Sequence, residues 1–486
     1  METTATAPVR ASAVPTWAAE VDVLVIGNGC AGASASIEAA RAGAEVLVLD
    51  AAGGWGGASA MAGGSLYLGG GTPLQKSCGV EDSPEAMHDF LKVATGPDPD
   101  EAKLAAYCEG SLEHFDWLVA CGVPFVPKLW DQPSWEAPTG YGLMYTGGEN
   151  AHPFDDLVPP APRGHIPHME GKRPGERSAG WTLMKHLVAT AERAGVRCRY
   201  DTRAERLAVD DGVVVGAQIS AYGERCFVRA RRGVVLSAGG FAANGPMLAQ
   251  HAPRLLGNML IGTDRDDGRG IRMAQAAGAA VRHMEAAQTS FPADPALLCR
   301  SLLLDRHGRR FINEDTYPGR VGQAALYQQD RQVFLLYDDA VAEEVRQAGG
   351  HVPEATWVSD DVAELEESMG IAPGVLAETI AAYDAGAEAG QDPLLHKSAR
   401  WLRPFTAPYG VLDLRGARFG VFTLGGLHTT PQGEVLDLDG EPVPGLFAAG
   451  RTTSGVPAWG YCSGTSLGDA TFFGRRAGRS AARRSR

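Results

Sequence analysis

Residues 21–32 read VDVLVIGNGCAG, a short apolar strand that runs directly into the pattern G-x-G-x-x-G. The alanine-rich residues 33–42 have the composition of a helix, and Gly43 marks its end. A second apolar strand over residues 45–49 then ends in Asp50. This order of strand, glycine turn, helix, strand and acid predicts a complete βαβ unit that binds a dinucleotide.

Each glycine of the pattern has a separate physical task. We expect Gly27 to form the turn, Gly29 to let the backbone approach a pyrophosphate, and Gly32 to let the helix pack closely on the strand. The N-terminus of the helix then offers unpaired N–H groups and its positive dipole end to the phosphates. Asp50 follows at the distance expected for an acid that accepts a hydrogen bond from a ribose hydroxyl.

Further glycine-rich segments favour FAD over NAD as the dinucleotide. They are the loop GGWGGASAMAGGS at 53–65, the strand and glycine pair at 233–244, and the strand-to-glycine turn GLFAAGR at 445–451. Residues 202–207, ahead of a hairpin at Asp211 and Gly212, are similar to the segment that flanks adenine in flavoproteins. An NAD dehydrogenase rarely distributes such motifs over its whole chain, so we expect FAD.

Length and composition limit the class of protein. A chain of 486 residues predicts two domains, because one hydrophobic core rarely serves so many residues. The net charge of −14 argues against a nucleic-acid partner, which needs a basic face. The basic C-terminus from Arg475 onward is interpreted as a solvated tail.

Targeting and redox signals point to the cytoplasm. The eight cysteines form no C-x-x-C pair and are interpreted as reduced thiols. Residues 1–20 lack the apolar core of a signal peptide, and we find no apolar run of membrane-spanning length. We therefore expect a cytoplasmic protein without a transmembrane segment.

The order of these motifs over residues 20–480 resembles the fumarate reductase/succinate dehydrogenase flavoprotein superfamily. Residues 262–278, GTDRDDGRGIRMAQAAG, are similar to a signature of that superfamily. The resemblance implies an α/β fold in which a Rossmann-type, discontinuous FAD-binding domain carries an inserted α+β substrate or cap domain. Covalent members carry a histidine where this chain has residues 56–59, GGAS, so we expect noncovalent FAD.

The expected domain boundaries follow from the resemblance. We predict an N-terminal tail at 1–19, an FAD-binding domain at 20–285 and 405–486, and a cap domain at 286–404. Helical runs are expected in the cap at 338–347, 363–369 and 377–385.

The motifs and the resemblance together predict a set of cofactor-binding residues. They are Gly27, Gly29, Cys30, Ala31, Gly32, Asp50, Ala51, Gly57, Ala58, Ser59, Gly63, Gly64, Arg203, Ala204, Ala238, Gly239, Gly240, Asn244, Asp267, Gly450, Arg451, Gly464, Ser466 and Leu467.

Within the superfamily, residues 311–317 (FINEDTY) and 459–464 (WGYCSG) are similar to the 3-ketosteroid dehydrogenases. The glycine-rich loop that continues through residues 66–75 also fits them. Tyr317, Tyr461 and Ser463 agree with the Δ4-(5α) branch. The resemblance implies an FAD-dependent oxidoreductase that introduces a C4–C5 double bond into a saturated 3-ketosteroid.

Desaturation next to a ketone requires a polarised carbonyl, a base for the adjacent C–H and a hydride acceptor at the next carbon. FAD supplies the acceptor. We hypothesise that Tyr461 donates to the keto oxygen, aided by a backbone N–H near Gly464, and that Ser463 takes the C4 proton and relays it to Tyr317. A phenol with a pKa near 10 is a weak base, so this relay needs burial or hydrogen bonding.

Aromatic residues in several segments offer contacts for a flat, hydrophobic, steroid-like ketone: Trp130, Trp135, residues 141–145, Phe291 and Trp459. The loop 159–165 (PPAPRGH) is expected at the entrance, with no role assigned to Arg163 or His165. His428 matches a superfamily position and is interpreted as structural. The physiological electron acceptor is not identified by the sequence.

Two other activities stay open. One is a flavin desaturase of a smaller cyclic ketone, such as an oxocyclohexane acid or a natural-product intermediate. The other is a flavin-dependent reductase of an enoate such as fumarate, against which the lack of an evident Arg/His dicarboxylate set counts. A noncatalytic FAD-binding protein is the third and weakest alternative.

Overall fold

The strand Ala19–Ile26 lies near the middle of a nine-stranded sheet. Its side chains from Val21 onward are buried on both faces, as expected for a central strand. In the computed structural model, which describes residues 6–169 and 179–485, this strand pairs in parallel with two neighbours. From one edge, the sheet runs through Val9–Arg10, Thr202–Asp210, Val213–Ala221, Glu224–Leu236, Ala19–Ile26, Val46–Leu49 and Arg197–Arg199. The strand Pro442–Ala448 also pairs with Glu224–Leu236, and Glu434–Leu436 pairs with Pro442–Ala448.

The predicted βαβ unit is present in this sheet. Gly27 has a φ of +105° and turns the chain into the helix Cys30–Arg41, which returns it to Val46–Leu49. The hairpin expected at Asp211 and Gly212 connects two antiparallel strands, and both residues have positive φ values. The Rossmann-type fold class is confirmed.

Two helices cross closely above this sheet. The helix Thr465–Arg483 packs on Cys30–Arg41 through glycines, since a Cβ atom at Gly478 would lie 2.0 Å from the carbonyl oxygen of Ala35. At Gly474 the corresponding atom would lie 2.5 Å from the carbonyl oxygen of Ala31. The first and last helices of the fold therefore form one layer.

The basic segment from Arg475 to Arg483 is part of this layer, so its interpretation as a solvated tail is wrong; Arg486 lies outside the described residues. Arg475 is buried and forms an ion pair with Glu113 at 2.6 Å, while Arg479 reaches Glu38. Each of these two arginines is paired with an acid that lies far away in the sequence, so the run of arginines itself gives no sign of the pairing.

A second region is built on smaller sheets. One antiparallel sheet contains, in order, Leu302–Asp305, Val333–Asp338, Tyr409–Asp413 and Trp357–Ser359. Its helices are Pro295–Leu298, Pro318–Tyr327, Asp339–Gln347, Val362–Met369 and Val375–Glu388, and the last three confirm the expected helical runs. There are three further sheets. The first contains Met259–Leu260, Gly420–Thr423 and Ala287–Ser290, and the second contains Val281–Arg282 and Gly426–Leu427. The third contains Leu66–Tyr67, Gly164–His165, Leu143–Met144 and Leu129–Trp130.

The remaining α-helices surround these sheets. They are Gly57–Met61, Pro73–Ser77, Pro84–Ala94, Glu101–Glu109, Ser111–Ala120, Ala179–Arg193, Gly245–His251 and Arg269–Ala276. Short 3₁₀ helices occur at Ala11–Ala13, Pro253–Leu255, Ala399–Trp401 and Gly450–Thr452. In the described part of the chain, no helix is both long and apolar enough to cross a bilayer.

The division into domains stays a prediction, and the structure differs from it at two places. Val9–Arg10, assigned to the N-terminal tail, adds a parallel strand beside Thr202–Asp210. Tyr409–Asp413, assigned to the FAD-binding domain, completes the sheet of the second region beside Val333–Asp338. In both cases the pairing partner lies far away in the sequence.

Candidate active site

A cavity of about 1020 Å³ lies where the central strands meet the glycine turn; we call it cavity 1. Most of the residues predicted to bind the cofactor line it. They are Gly27, Gly29, Cys30, Ala31, Asp50, Ala51, Gly57, Ala58, Ser59, Arg203, Ala204, Ala238, Gly239, Asp267, Gly450 and Arg451. Segments spread over more than 400 residues of sequence thus meet around one elongated space.

Close backbone approach explains the glycines of the turn. A Cβ atom at Gly27 would lie 2.3 Å from the carbonyl oxygen of Ser237, on the neighbouring strand. One at Gly32 would lie 1.9 Å from the carbonyl oxygen of Gly27. Side chains at either position would therefore push the helix N-terminus away from the sheet.

Asp50 stands at the predicted edge of cavity 1 and supports the turn. Its two carboxylate oxygens accept hydrogen bonds from the backbone N–H groups of Asn28 at 2.7 Å and Ala52 at 2.8 Å. Burial raises the pKa of the Asp50 carboxyl, and these hydrogen bonds oppose that effect.

Arginines give cavity 1 its affinity for anions. Buried nitrogen atoms of Arg269 and Arg451 have no hydrogen-bond partner among the described residues, although each arginine contacts an acid, Asp267 at 3.8 Å and Asp266 at 2.6 Å respectively. Unsatisfied buried donors in a cavity fit a group rich in acceptor oxygens. The glycine cradle and these donors therefore fit the pyrophosphate of FAD. Arg269 was not predicted, although it lies in the superfamily signature.

Three of the predicted cofactor residues do not line a cavity. Gly32 serves helix packing, as described above. Gly240 donates its backbone N–H to Asp266 at 3.2 Å. Asn244 caps the helix Gly245–His251 and donates to the carbonyl oxygen of Asp267 at 2.7 Å. All three residues therefore hold neighbouring backbone in place instead of lining cavities 1 to 3.

A second cavity, cavity 2, has a volume of about 1220 Å³ and is continuous with the first. The residues common to both are Cys30, Ala58, Ser59, Arg451 and Ala470. The remaining predicted cofactor residues, Gly63, Gly64, Gly464, Ser466 and Leu467, line cavity 2 together with Tyr461 and Ser463. Its walls also include Met144, from the predicted segment 141–145, and apolar residues that were not predicted: Ile166, Leu260, Ile261 and Phe422.

Tyr461 lies in cavity 2 beside the start of the C-terminal helix. Burial raises the pKa of its hydroxyl, while the Ser466 side chain and the backbone N–H groups of Ser466 and Gly464 oppose this effect. Its ring makes an edge-to-face contact with Phe422, at 5.3 Å between centroids. The phenol oxygen is therefore close to several hydrogen-bond donors at a helix N-terminus.

Tyr317 and Ser463 lie together at a third cavity, cavity 3, of about 730 Å³. Tyr317 is buried, and its ring centroid lies 6.4 Å from that of Tyr461. Burial raises the pKa of the Tyr317 hydroxyl well above its usual value, and nearby Tyr461 and Cys462 add to this, whereas Ser463 and Gln288 lower it. Ser463 also lines cavity 2, so the structure brings the three predicted catalytic residues to one junction.

The predicted substrate-contacting aromatic residues divide into two groups. Trp135 lines cavities 2 and 3, and Trp130 and Tyr145 line cavity 3. Phe291 is instead buried against Phe419, and Trp459 packs on Tyr327 at 5.6 Å between centroids.

The loop predicted at the entrance has a different place. Arg163 and His165, in the last part of that loop, are fully buried and do not lie at an entrance. Arg163 forms a bidentate ion pair with Asp82 at 2.7 and 3.0 Å. His165 lies 2.8 Å from the Thr72 hydroxyl, and burial lowers its pKa to about 4. His165 belongs to the strand Gly164–His165, which lies between Leu66–Tyr67 and Leu143–Met144.

The cationic groups considered for a dicarboxylate lie outside cavity 2. Arg310 is buried in ion pairs with Glu314 at 2.7 Å and Asp392 at 2.9 Å. His428 lines none of the cavities described above. Among the described residues that line cavity 2, the only cation is Arg451, which is paired with Asp266.

Known proteins match this chain over nearly its whole length. The family model described as "FAD binding domain" matches residues 22–467. A solved structure of 3-ketosteroid-Δ4-(5α)-dehydrogenase from Rhodococcus jostii RHA1, in complex with 4-androstene-3,17-dione, is 53% identical. It covers 98% of this chain and 100% of its own, with a TM-score of 0.96.

More distant relatives have different activities. A probable fumarate reductase of Shewanella frigidimarina is 28% identical over 95% of this chain and 74% of its own. The 4-oxocyclohexanecarboxylate 2-dehydrogenase of Sinomonas cyclohexanicum is 27% identical over 95% of this chain and 92% of its own.

Proposed function

Because the chain belongs to the FAD binding domain family, in the fumarate reductase/succinate dehydrogenase flavoprotein superfamily, and is an FAD-dependent oxidoreductase, we propose that it desaturates a 3-ketosteroid. The bond that we assign to the reaction is C4–C5 of a saturated ring. The observation that carries the proposal is the junction of three hydroxyl groups, from Tyr461, Ser463 and Tyr317, between two cavities. The 53% identical structure holds a steroid whose name specifies a 4-ene-3-ketone.

The cofactor is held by the residues around cavity 1. The donors of Arg269 and Arg451 and the glycine turn would hold its phosphates, and Asp50 would hold a ribose hydroxyl. When bound, flavin supplies the acceptor for the hydride of the reaction.

Tyr461 orients and activates the ketone. Its hydroxyl donates to the C3 oxygen and stabilises the negative charge that develops there, with the backbone N–H groups at the helix start nearby. The helix dipole favours the same charge. A preorganised donor of this kind contributes about 2.7–4 kcal/mol to transition-state stabilisation.

Ser463 and Tyr317 remove the C4 proton. The serine oxygen takes this proton as its own hydroxyl proton moves to Tyr317. Since burial keeps the pKa of Tyr317 well above its usual value, the tyrosine is a phenol at neutral pH and acts by passing a proton onward. Cavity 3 lies beside Tyr317 and offers the outlet.

The walls of cavity 2 suit an apolar substrate better than a dicarboxylate. Met144, Leu260 and Phe422 present apolar surface, whereas Arg451 is already paired with Asp266. A fumarate-type substrate requires cationic groups for two carboxylates, and this lining offers none that is free among the described residues.

Anaerobic bleaching of the flavin absorbance tests the proposal directly. We expect 5α-androstane-3,17-dione to bleach the flavin and to yield a conjugated 4-ene-3-ketone, which absorbs in the ultraviolet. Bleaching by 4-oxocyclohexanecarboxylate without bleaching by the steroid assigns the smaller-ketone activity instead. Reoxidation of the reduced enzyme by fumarate, with no bleaching by either ketone, assigns the reductase activity.

A further inference from the structure

Gln288 makes a buried contact with one of the proposed catalytic groups. It lies on the strand Ala287–Ser290, opposite Phe422 of the neighbouring strand, and only 3% of its surface is exposed. Its side-chain amide nitrogen donates to the Tyr317 hydroxyl oxygen at 3.1 Å. A glutamine buried to this degree requires a polar partner, and the phenol is one.

The local fold makes room for this contact. At Gly319, in the first turn of the helix Pro318–Tyr327, a Cβ atom would lie 2.4 Å from the Tyr317 ring and 2.5 Å from the Gln288 amide nitrogen. Any larger residue would separate the two groups. Gly319 does not need positive φ, so the absence of a side chain is its contribution.

The hydrogen-bonding capacity of a phenol then fixes the direction of its proton. The oxygen has one hydrogen to donate and two lone pairs with which to accept. Gln288 occupies one lone pair, and the Ser463 hydroxyl is close enough to use the other. The Tyr317 O–H is therefore left to point toward cavity 3, which Tyr317 lines.

We propose that Gln288 is a positioning residue that sets the direction of the proton relay from Ser463 through Tyr317 to cavity 3. This inference rests on the proposed desaturase function. In the step, the substrate C–H proton moves to the Ser463 oxygen, the Ser463 hydroxyl proton moves to the Tyr317 oxygen, and the Tyr317 proton moves to water. One proton leaves for each C4–H bond broken, and bound FAD would supply the acceptor for the second hydrogen and its electron pair.

Charged and titratable groups lie near this contact or line cavity 3, and they come from several elements. The loop before the C-terminal helix contributes Tyr461 and Cys462, and the helix after Tyr317 contributes Arg320. The wall of cavity 3 contributes Asp131, Glu314 and Asp315. Glu314 is held by Arg310 and Lys397, so its charge is balanced.

Two substitutions distinguish a directional role from a packing role. Gln288→Glu replaces the donor by a carboxylate that accepts the Tyr317 hydrogen and reverses its direction. Gln288→Met removes the donor at similar volume. We expect kcat for the steroid to fall about 100-fold in both at neutral pH, the lower part of the range for proton-transfer groups, while KM changes less than about threefold.

The pH profile is the decisive measurement. A buried carboxyl has a raised pKa, so Gln288→Glu becomes a protonated donor in mildly acidic buffer, and we expect its kcat to rise as the pH falls. Gln288→Met and the wild type lack this rise. Thr289→Val, next along the strand and buried, is the matched control and keeps the wild-type profile.

The substrate-free readouts are the FAD content and the affinity for the 4-ene-3-ketone product, measured by perturbation of the flavin spectrum. We expect both to be unchanged in all variants. If the pH profiles of kcat are parallel for Gln288→Glu and Gln288→Met, the proposed direction of the relay is wrong. The proposed function is unaffected by that result as long as the steroid bleaches the wild type. Failure of the wild type to bleach overturns the proposed function itself.

Discussion

Tyr461 places its hydroxyl beside the backbone N–H groups that open the C-terminal helix. Tyr461→Phe removes one oxygen and keeps the ring that contacts Phe422. We expect kcat for the steroid to fall by about 10²–10³, the cost of losing one donor to a developing oxyanion, with FAD content unchanged. Stopped-flow bleaching at saturating steroid measures the loss.

The control for this substitution is Tyr327→Phe. The Tyr327 hydroxyl donates to the carbonyl oxygen of Glu285 at 3.3 Å and lies outside cavities 1 to 3. Its removal leaves bleaching at the wild-type rate. Wild-type turnover in Tyr461→Phe contradicts the role assigned to this hydroxyl.

Trp135 lines cavities 2 and 3 and also a shallower groove between Met259 and Arg418. Its ring stands edge-on to Tyr317 at 6.5 Å between centroids. We expect Trp135→Ala to raise kcat/KM for 3-ketosteroids with a long C17 side chain about tenfold relative to 5α-androstane-3,17-dione, because the wall that stops the side chain is gone. Steady-state kinetics with the two substrates give the ratio.

Trp135→Phe retains most of this wall, so we expect its ratio of kcat/KM between the two substrates to equal that of the wild type. An unchanged ratio in Trp135→Ala places the side chain of the substrate elsewhere.

At the residue scale, the sequence predicted the residues that are constrained by local geometry. Gly27 and Asp50 could be recognised because a turn and the end of a strand define them. Arg163 and Arg269 could not, because their roles depend on partners or cavities assembled from distant segments. Gln288 is hidden for the same reason: nothing in the residues around it signals a contact with Tyr317.

At the scale of elements, the closest contact is the crossing of Cys30–Arg41 and Thr465–Arg483. Gly478→Ala adds a methyl group whose carbon would lie 2.0 Å from the carbonyl oxygen of Ala35. We expect the free energy of unfolding to fall by about 1–3 kcal/mol, as for overpacked interiors, despite the higher helix propensity of alanine. Urea unfolding of the holoenzyme, followed by flavin and tryptophan fluorescence, measures it.

Gly245→Ala is the matched control for this prediction. Gly245 opens the helix Gly245–His251, and a Cβ atom there meets nothing within 4 Å. Its unfolding free energy is expected to stay the same or rise slightly. Equal stability of the two variants contradicts the tight crossing.

Element prediction succeeded where a pattern is complete within a few residues. The helices Asp339–Gln347 and Val375–Glu388 have such patterns, as does the hairpin at Asp211. The strand Val9–Arg10 was missed because its pairing with Ala208 and Val209 crosses about 200 residues. Sheet edges formed by distant partners leave no local pattern.

At the scale of the whole molecule, two buried histidines couple stability to pH. Burial lowers the pKa of His165 to about 4 and that of His114 well below its usual value. Each of these two histidines therefore binds more protons in the unfolded chain than in the native protein as the pH falls below 6.5, so its contribution to stability decreases with the pH. From pH 6.5 to pH 5 we expect His165 alone to account for about 2 kcal/mol.

Urea midpoints at pH 7, 6 and 5 measure this dependence in the wild type and in His165→Gln. The glutamine does not titrate, so the slope of stability against pH becomes shallower. Carboxyls whose pKa is raised by burial, such as Asp469 at about 6, change stability in the opposite direction in this window, so the difference in slope between the two proteins isolates His165. Identical slopes in the two proteins contradict a neutral, buried His165.

The crossing of Cys30–Arg41 and Thr465–Arg483 also determines when, during synthesis, the cofactor pocket can be completed. The turn that grips the dinucleotide emerges from the ribosome early, but Gly450, Arg451 and Ala470 complete the wall of the same cavity. The helix that covers Cys30–Arg41 ends only at Arg483. A nascent chain must therefore be translated past Arg483 before it can retain its coenzyme, and a product that stops before Thr465 leaves the ribosome without a closed cofactor pocket.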